Sequence, residues 1–205
     1  MPQVFAVLLF LCTAFPALAQ SVVCFGDSLT AGYGSTPGKS YPDFLRKDLA
    51  DAGYYVTLVN RGVSGDTTKD GLARLPAVLA LQPAIVILEF GANDGIRGQP
   101  LPGIAQNLSA MIQTLQHAHI RVLLLGMNLP PNLGPEYIKQ FDALYPTLAA
   151  KYKLPVVPFL LKGVYDVEGL MSPDYIHPNA AGYERVAQNV LPVLEPMLSK
   201  PSVPR

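Results

Sequence analysis

Ser28 stands two residues beyond Gly26, at the end of the apolar run Val22-Val23-Cys24-Phe25. Small residues after it (Ala31, Gly32, Gly34) leave its turn uncrowded, as a nucleophile presented at a strand end requires. A serine hydroxyl attacks poorly until a base takes its proton, and the base works best when a third group orients it. His177 can be that base. Asp174 lies three residues earlier, a spacing that lets one tight turn carry its carboxylate to the far imidazole nitrogen and fix the tautomer. The oxyanion of a tetrahedral intermediate also needs preplaced donors. Gly65 offers a backbone N–H with no side chain in front of it, and Asn93 offers an amide N–H. Plainer readings exist for each residue taken alone: Ser and Asp favour turns and caps, Asn93-Asp94-Gly95 reads as a turn, Gly65 as a helix-start glycine and Asp174 as a surface carboxylate. What favours chemistry is the set, four motifs in a consistent structural context.

That context follows from the elements between the motifs. After the first strand, Tyr41, Phe44, Leu45, Leu49 and Ala52 recur at helical spacing, with Ser40 to cap the helix and Gly53 to stop it. Tyr55 to Asn60 reads as a second strand, residues 61–65 as a loop, and Asp66 or Thr67 as the start of a helix reaching about Leu81. Ala84 to Phe90 is apolar almost without interruption, the pattern of a parallel strand covered on both faces. A Gly- and Pro-rich loop (95–103) precedes a helix from about Ile104 to His117, a strand at Val122 to Gly126, a helix from Pro135 to Lys153 and a short strand at Val156 to Phe159. A helix from Asn179 to about Leu198 closes the domain, its end made irregular by Pro192 and Pro196. Such alternation predicts an α/β fold, a three-layer α/β/α sandwich around one parallel sheet, with ligands beyond the carboxyl ends of the strands. Ser28 follows the first strand, Gly65 the second and Asn93 the third, with Asp174 and His177 beyond the fifth. Periodicity does not give the order of the strands.

Gly26-Asp27-Ser28-Leu29, Val63-Ser64-Gly65-Asp66-Thr67, Gly91-Ala92-Asn93-Asp94 and Asp174-Tyr175-Ile176-His177 resemble, in this order, the four blocks of the SGNH (GDSL) hydrolase family. The longer stretches 60–68, 89–98 and 176–179 are similar to its bacterial periplasmic arylesterase/thioesterase I/lysophospholipase L1 branch, and the likeness runs from Val22 to Tyr183. The resemblance implies a flavodoxin-like, five-stranded sheet of order 2-1-3-4-5. It implies Ser28 as nucleophile, Asp174 and His177 as the rest of the triad, and the Ser28 and Gly65 N–H groups with the Asn93 amide as oxyanion hole. It also implies export and hydrolysis of carboxylic esters and acyl thioesters. Ala92 stands where close relatives commonly carry glycine, a change the looser G-x-N-D pattern allows. The other common esterase signature, G-x-S-x-G, fails at both 26–30 and 62–66.

The 205 residues, half of them hydrophobic, suffice for one domain with a sizeable core, expected over residues 20–200 with a tail at 201–205. Fifteen Lys plus Arg balance 15 Asp plus Glu, which argues against a nucleic-acid partner or an anionic membrane surface and fits a small ester or lipid-like substrate. Residues 1–19, apolar from Val4 to Leu11 and ending in Ala17-Leu18-Ala19, read as a signal peptide removed on export to the periplasm or beyond, although no Lys or Arg precedes the apolar run. Too short to span a membrane, the segment implies no stable insertion after cleavage. Cys24 then remains the only thiol, a small buried hydrophobe inside a strand. His117 and His119 sit near a helix end with no acidic or cysteine cluster around them, so neither a metal nor another cofactor is expected.

Ile96, Leu101 and Pro102 follow Asn93, and Met127, Leu129 and Leu133 follow the fourth strand. Beyond the strand ends they would line an apolar groove for an acyl chain, unless they merely cap the core. A cofactor-free serine esterase is the reading that unites these features. A carbohydrate-ester deacetylase of the same family and a noncatalytic lipid carrier are its alternatives.

Overall fold

The computed structural model describes residues 20–199, so the expected signal peptide with its Cys12 and the expected tail at 201–205 lie outside the described residues. Five parallel strands form one sheet: β1 (Gln20–Gly26), β2 (Val56–Gly62), β3 (Ile85–Glu89), β4 (Arg121–Leu125) and β5 (Val156–Val157), in the order β2-β1-β3-β4-β5. Gly26 pairs with Gly62 on one side and with Glu89 on the other, so the carboxyl ends of β1, β2 and β3 finish level. All five residues of β3 are buried, the reason it reads as a continuous apolar run broken only by Glu89.

Among the described residues seven helices connect the strands, α1 (Ser28–Ala31), α2 (Tyr41–Asp51), α3 (Thr68–Leu79), α4 (Ala92–Ile96), α5 (Leu101–His117), α6 (Pro135–Asp142) and α7 (Leu144–Tyr152), and α8 (Ala180–Leu194) follows β5. Packing of α2 on α8 forms one outer layer, and α3 with α5 and α7 forms the other. The stripe Ile104, Leu108, Met111, Ile112 and Leu115 turns one face of α5 into the core, each side chain contributing about 2 kcal/mol by burial.

Several boundaries differ from those the sequence predicts. The expected helix over 135–153 is two helices meeting at Ala143, because Pro146 has no N–H for the Asp142 carbonyl one turn earlier and its ring crowds that group. Helix α5 begins at Leu101 rather than Ile104, with Pro102 in the first turn where a missing N–H costs nothing. Strand β5 has only two residues, closed off by Pro155 and Pro158. Helix α8 ends at Leu194 and passes into a 3₁₀ turn at Glu195–Met197 that carries Pro196. Residues around Ser28 and Asn93, expected as turn and loop, each form about one turn of helix.

Candidate active site

The chain enters α1 through a close approach that only glycine permits. A Cβ on Gly26 would lie 2.2 Å from Thr30 Oγ1 and 2.6 Å from the Glu89 carbonyl oxygen. The Asp27 carboxyl caps the helix by accepting the Leu29 N–H at 3.0 Å, and Gly32, at φ +88°, ends it. Ser28 is thus the first helical residue above β1, and its N–H has no carbonyl one turn earlier to bond.

His177 arrives from the loop before α8, 149 residues along the chain, with Nε2 2.8 Å from Ser28 Oγ. Its Nδ1 is 2.7 Å from Asp174 Oδ2. Because a carboxylate only accepts, Nδ1 carries the proton and Nε2 is free to take one from serine. The turn that makes this possible holds Tyr175, a residue 79% exposed, at φ +57° and is closed below by the Ser172 N–H donating to the His177 carbonyl at 2.8 Å. Tyr33 covers the imidazole at a centroid distance of 4.7 Å, and its own carbonyl accepts from the Tyr183 hydroxyl at 2.7 Å.

Asp174 Oδ1 accepts from the Ser172 hydroxyl and from the Ile176 and His177 N–H groups, at 2.7, 2.9 and 2.9 Å. Burial alone would raise its pKa, but these donors and the imidazole outweigh it and hold the carboxyl well below the usual carboxylate range. The stability this contributes is present above the unfolded carboxylate pKa, near 4, and is lost as pH falls towards the folded value. Asp174→Asn should therefore lower the denaturation midpoint at neutral pH, with the gap to wild type narrowing in acid. A gap independent of pH, measured by denaturant unfolding, would show that ionisation is not its source.

Gly65, in the loop after β2, adopts φ +87° with open space where a side chain would stand, so backbone conformation rather than crowding calls for glycine there. Its N–H has no acceptor among the described residues. Asn93, in α4, directs its amide nitrogen to the Asp66 carbonyl at 3.0 Å and to Asp27 Oδ2 at 3.1 Å. That places the Asn93 side chain between the loop after β2 and the cap of the serine helix. Next to it, Thr68 anchors Asp94, donating its N–H at 2.8 Å and its hydroxyl at 2.7 Å.

Ser28, Gly65, Asn93, Asp174 and His177 all border one cleft of about 930 Å³. Ile96, Met127 and Leu129 line it, joined by Phe159, Leu161 and Tyr165. Leu101 and Pro102 do not: they form the first turn of α5, where Leu101 packs against the core. Leu133 packs there too. The residues sequence reasoning passed over are Tyr33, Ser172 and the buried pair Asp27 and Glu89. Of these only Glu89 carried a signal, as the one charged residue in an apolar strand.

Residues 24–185 match the family described as GDSL-like Lipase/Acylhydrolase. The chain is 46% identical over 183 residues to Esterase TesA of Pseudomonas aeruginosa, covering 89% of this chain and 91% of that protein. To thioesterase 1/protease 1/lysophospholipase L1 of Escherichia coli (strain K12) it is 36% identical over 203 residues, covering 98% and 95%. A crystal structure of TesA superposes with a TM-score of 0.84 at 46% identity, over 87% of this chain and 100% of that one.

Proposed function

The chain belongs to the GDSL-like lipase/acylhydrolase family, and from that premise we propose that it is a serine esterase whose acyl-enzyme forms on Ser28. The observation that carries this reading is the unbroken line from Ser28 Oγ through the His177 ring to Asp174, at 2.8 and 2.7 Å, opening on a cleft. His177 Nε2 takes the serine proton as Oγ bonds to the acyl carbon, and the carbonyl oxygen becomes an oxyanion facing the Ser28 and Gly65 N–H groups and the Asn93 amide. Collapse of the intermediate breaks the ester bond, and the imidazolium gives its proton to the departing alcohol, phenol or thiol. Water, deprotonated by the same nitrogen, then releases the acid and restores Ser28. Asp174 keeps the ring in the required tautomer throughout.

Substrates are short to medium acyl and aryl esters, with acyl thioesters and lysophospholipids as further candidates; the similarity to an esterase and to a thioesterase/lysophospholipase supports the ester, thioester and lysophospholipid classes. The apolar lining from Met127, Leu129, Phe159 and Leu161 supports an acyl site. Each methylene buried there is worth about 0.8 kcal/mol, roughly fourfold in kcat/KM, until the cleft is full. Across p-nitrophenyl esters from acetate to octanoate, kcat/KM should therefore rise, and Ile96→Ala should flatten the series while sparing acetate. A steady fall from acetate to octanoate would sink the acyl site and favour a deacetylase. Export rests on the N-terminal apolar segment with its Ala17-Leu18-Ala19 ending, which supports action in the periplasm or outside the cell. Among the described residues no helix is long and apolar enough to cross a membrane.

A further inference from the structure

Directly behind the Asn93 amide lie two carboxyl groups that the reaction does not use. Asp27 and Glu89 are both 0% exposed. Glu89 Oε2 accepts the Asp27 N–H at 3.1 Å and the Thr30 hydroxyl at 2.9 Å, but Oε1 has no partner among the described residues. Among the described residues no Lys or Arg forms an ion pair with either carboxyl. Arg74, the nearest candidate on α3, is bound to Asp66 and stacked over Phe25. Facing groups on α2, α7 and α8 are the phenols Tyr41, Tyr145 and Tyr183, which burial keeps protonated, and Asp94 on α4 is engaged by Thr68. His177, on the loop before α8, is occupied by Asp174 and Ser28.

Two buried carboxylates on residues bonded through the Asp27 N–H, with no cation beside them, are not sustainable, because desolvation and mutual repulsion both favour taking up a proton. Burial, first, raises the pKa of each, and the Asp27 N–H bond to Glu89 Oε2 holds the two residues side by side. We propose that Asp27 and Glu89 share one proton, and that as positioning residues they thereby leave the Asn93 amide free to serve the oxyanion. Both Asn93 amide hydrogens have acceptors at rest, the Asp66 carbonyl and Asp27 Oδ2. An ionised Asp27 would hold one of them strongly and set a full negative charge beside the developing oxyanion. Protonated, it accepts only weakly, and the remaining charge sits on Glu89, one residue shell further away.

The inference rests on the esterase reading for its effect on rate, but the proton can be read without turnover. Infrared difference spectra of the intact protein near neutral pH should show a protonated carboxyl stretch in wild type that is lost in both Glu89→Gln and Asp27→Asn. Its absence from wild type would overturn the proposal whether or not either variant folds. In ester assays Glu89→Gln, which leaves the charge on Asp27, should lower kcat by about tenfold to a hundredfold with KM within about twofold. Asp27→Asn, which leaves the charge on Glu89 and still caps α1, should retain at least about tenfold more kcat than Glu89→Gln. Equal losses, or a greater loss in Asp27→Asn, would overturn the positioning role. A wild type that turned over no ester would instead refute the esterase reading, with the infrared band still deciding the proton.

Discussion

Replacing Ser28 with alanine is expected to lower kcat by about 10⁴-fold or more, with KM and melting temperature close to wild type. The stability expectation follows from position. Ser28 begins a one-turn helix held by its neighbours, through the Asp27 cap on Leu29 and the Gly32 turn, so the hydroxyl is not what builds the element. The catalytic expectation follows from the hydrogen bond to His177 Nε2 at 2.8 Å, since without Oγ no acyl-enzyme forms and only the oxyanion donors and binding remain. His177→Ala should cost a similar factor, and the double variant little more than either alone, because a nucleophile and its base act as a unit. A fluorophosphonate should label wild type at Ser28 and leave Ser28→Ala unlabelled. Retention of more than about a tenth of wild-type kcat in Ser28→Ala would refute the acyl-enzyme assignment.

Asn93→Ala should lower kcat by about 10²- to 10³-fold while leaving KM nearly unchanged. An oxyanion carries more charge than the ester carbonyl it comes from, so a donor aimed at it stabilises the transition state more than the bound substrate. The substitution also strips the Asp66 carbonyl and Asp27 Oδ2 of a hydrogen bond, a structural loss of about 1 kcal/mol that thermal unfolding measures separately. Should KM instead rise steeply at constant kcat, Asn93 would be a substrate-binding residue and the oxyanion hole would need another donor.

The sequence by itself determined the local features of this protein. Strands covered on both faces must be apolar along their whole length, so β1, β3 and β4 announce themselves, and turns after them require Gly, Ser, Asp and Asn. The motif residues were therefore legible as strand-end residues before any coordinates, and Asp174 three positions before His177 already implied their contact. The break at Pro146 went unread in the expected single helix over 135–153, although a proline inside a helical stretch is a local signal. Strand order was not legible, since pairing depends on register between distant segments and one face pattern serves many orders. Nor was the destination of Leu101 and Pro102, whose apolar character suits a cleft wall and a helix start equally until the direction of α5 is known. The meaning of Glu89 lay furthest out of reach. A single carboxylate in an apolar strand signals that something must compensate it, but its partners Asp27 and Thr30 sit 62 and 59 residues away. Only the level alignment of β1 and β3 brings them within hydrogen-bonding distance, because burial makes a charge costly locally while its neutralisation is decided by whichever chains the fold places beside it.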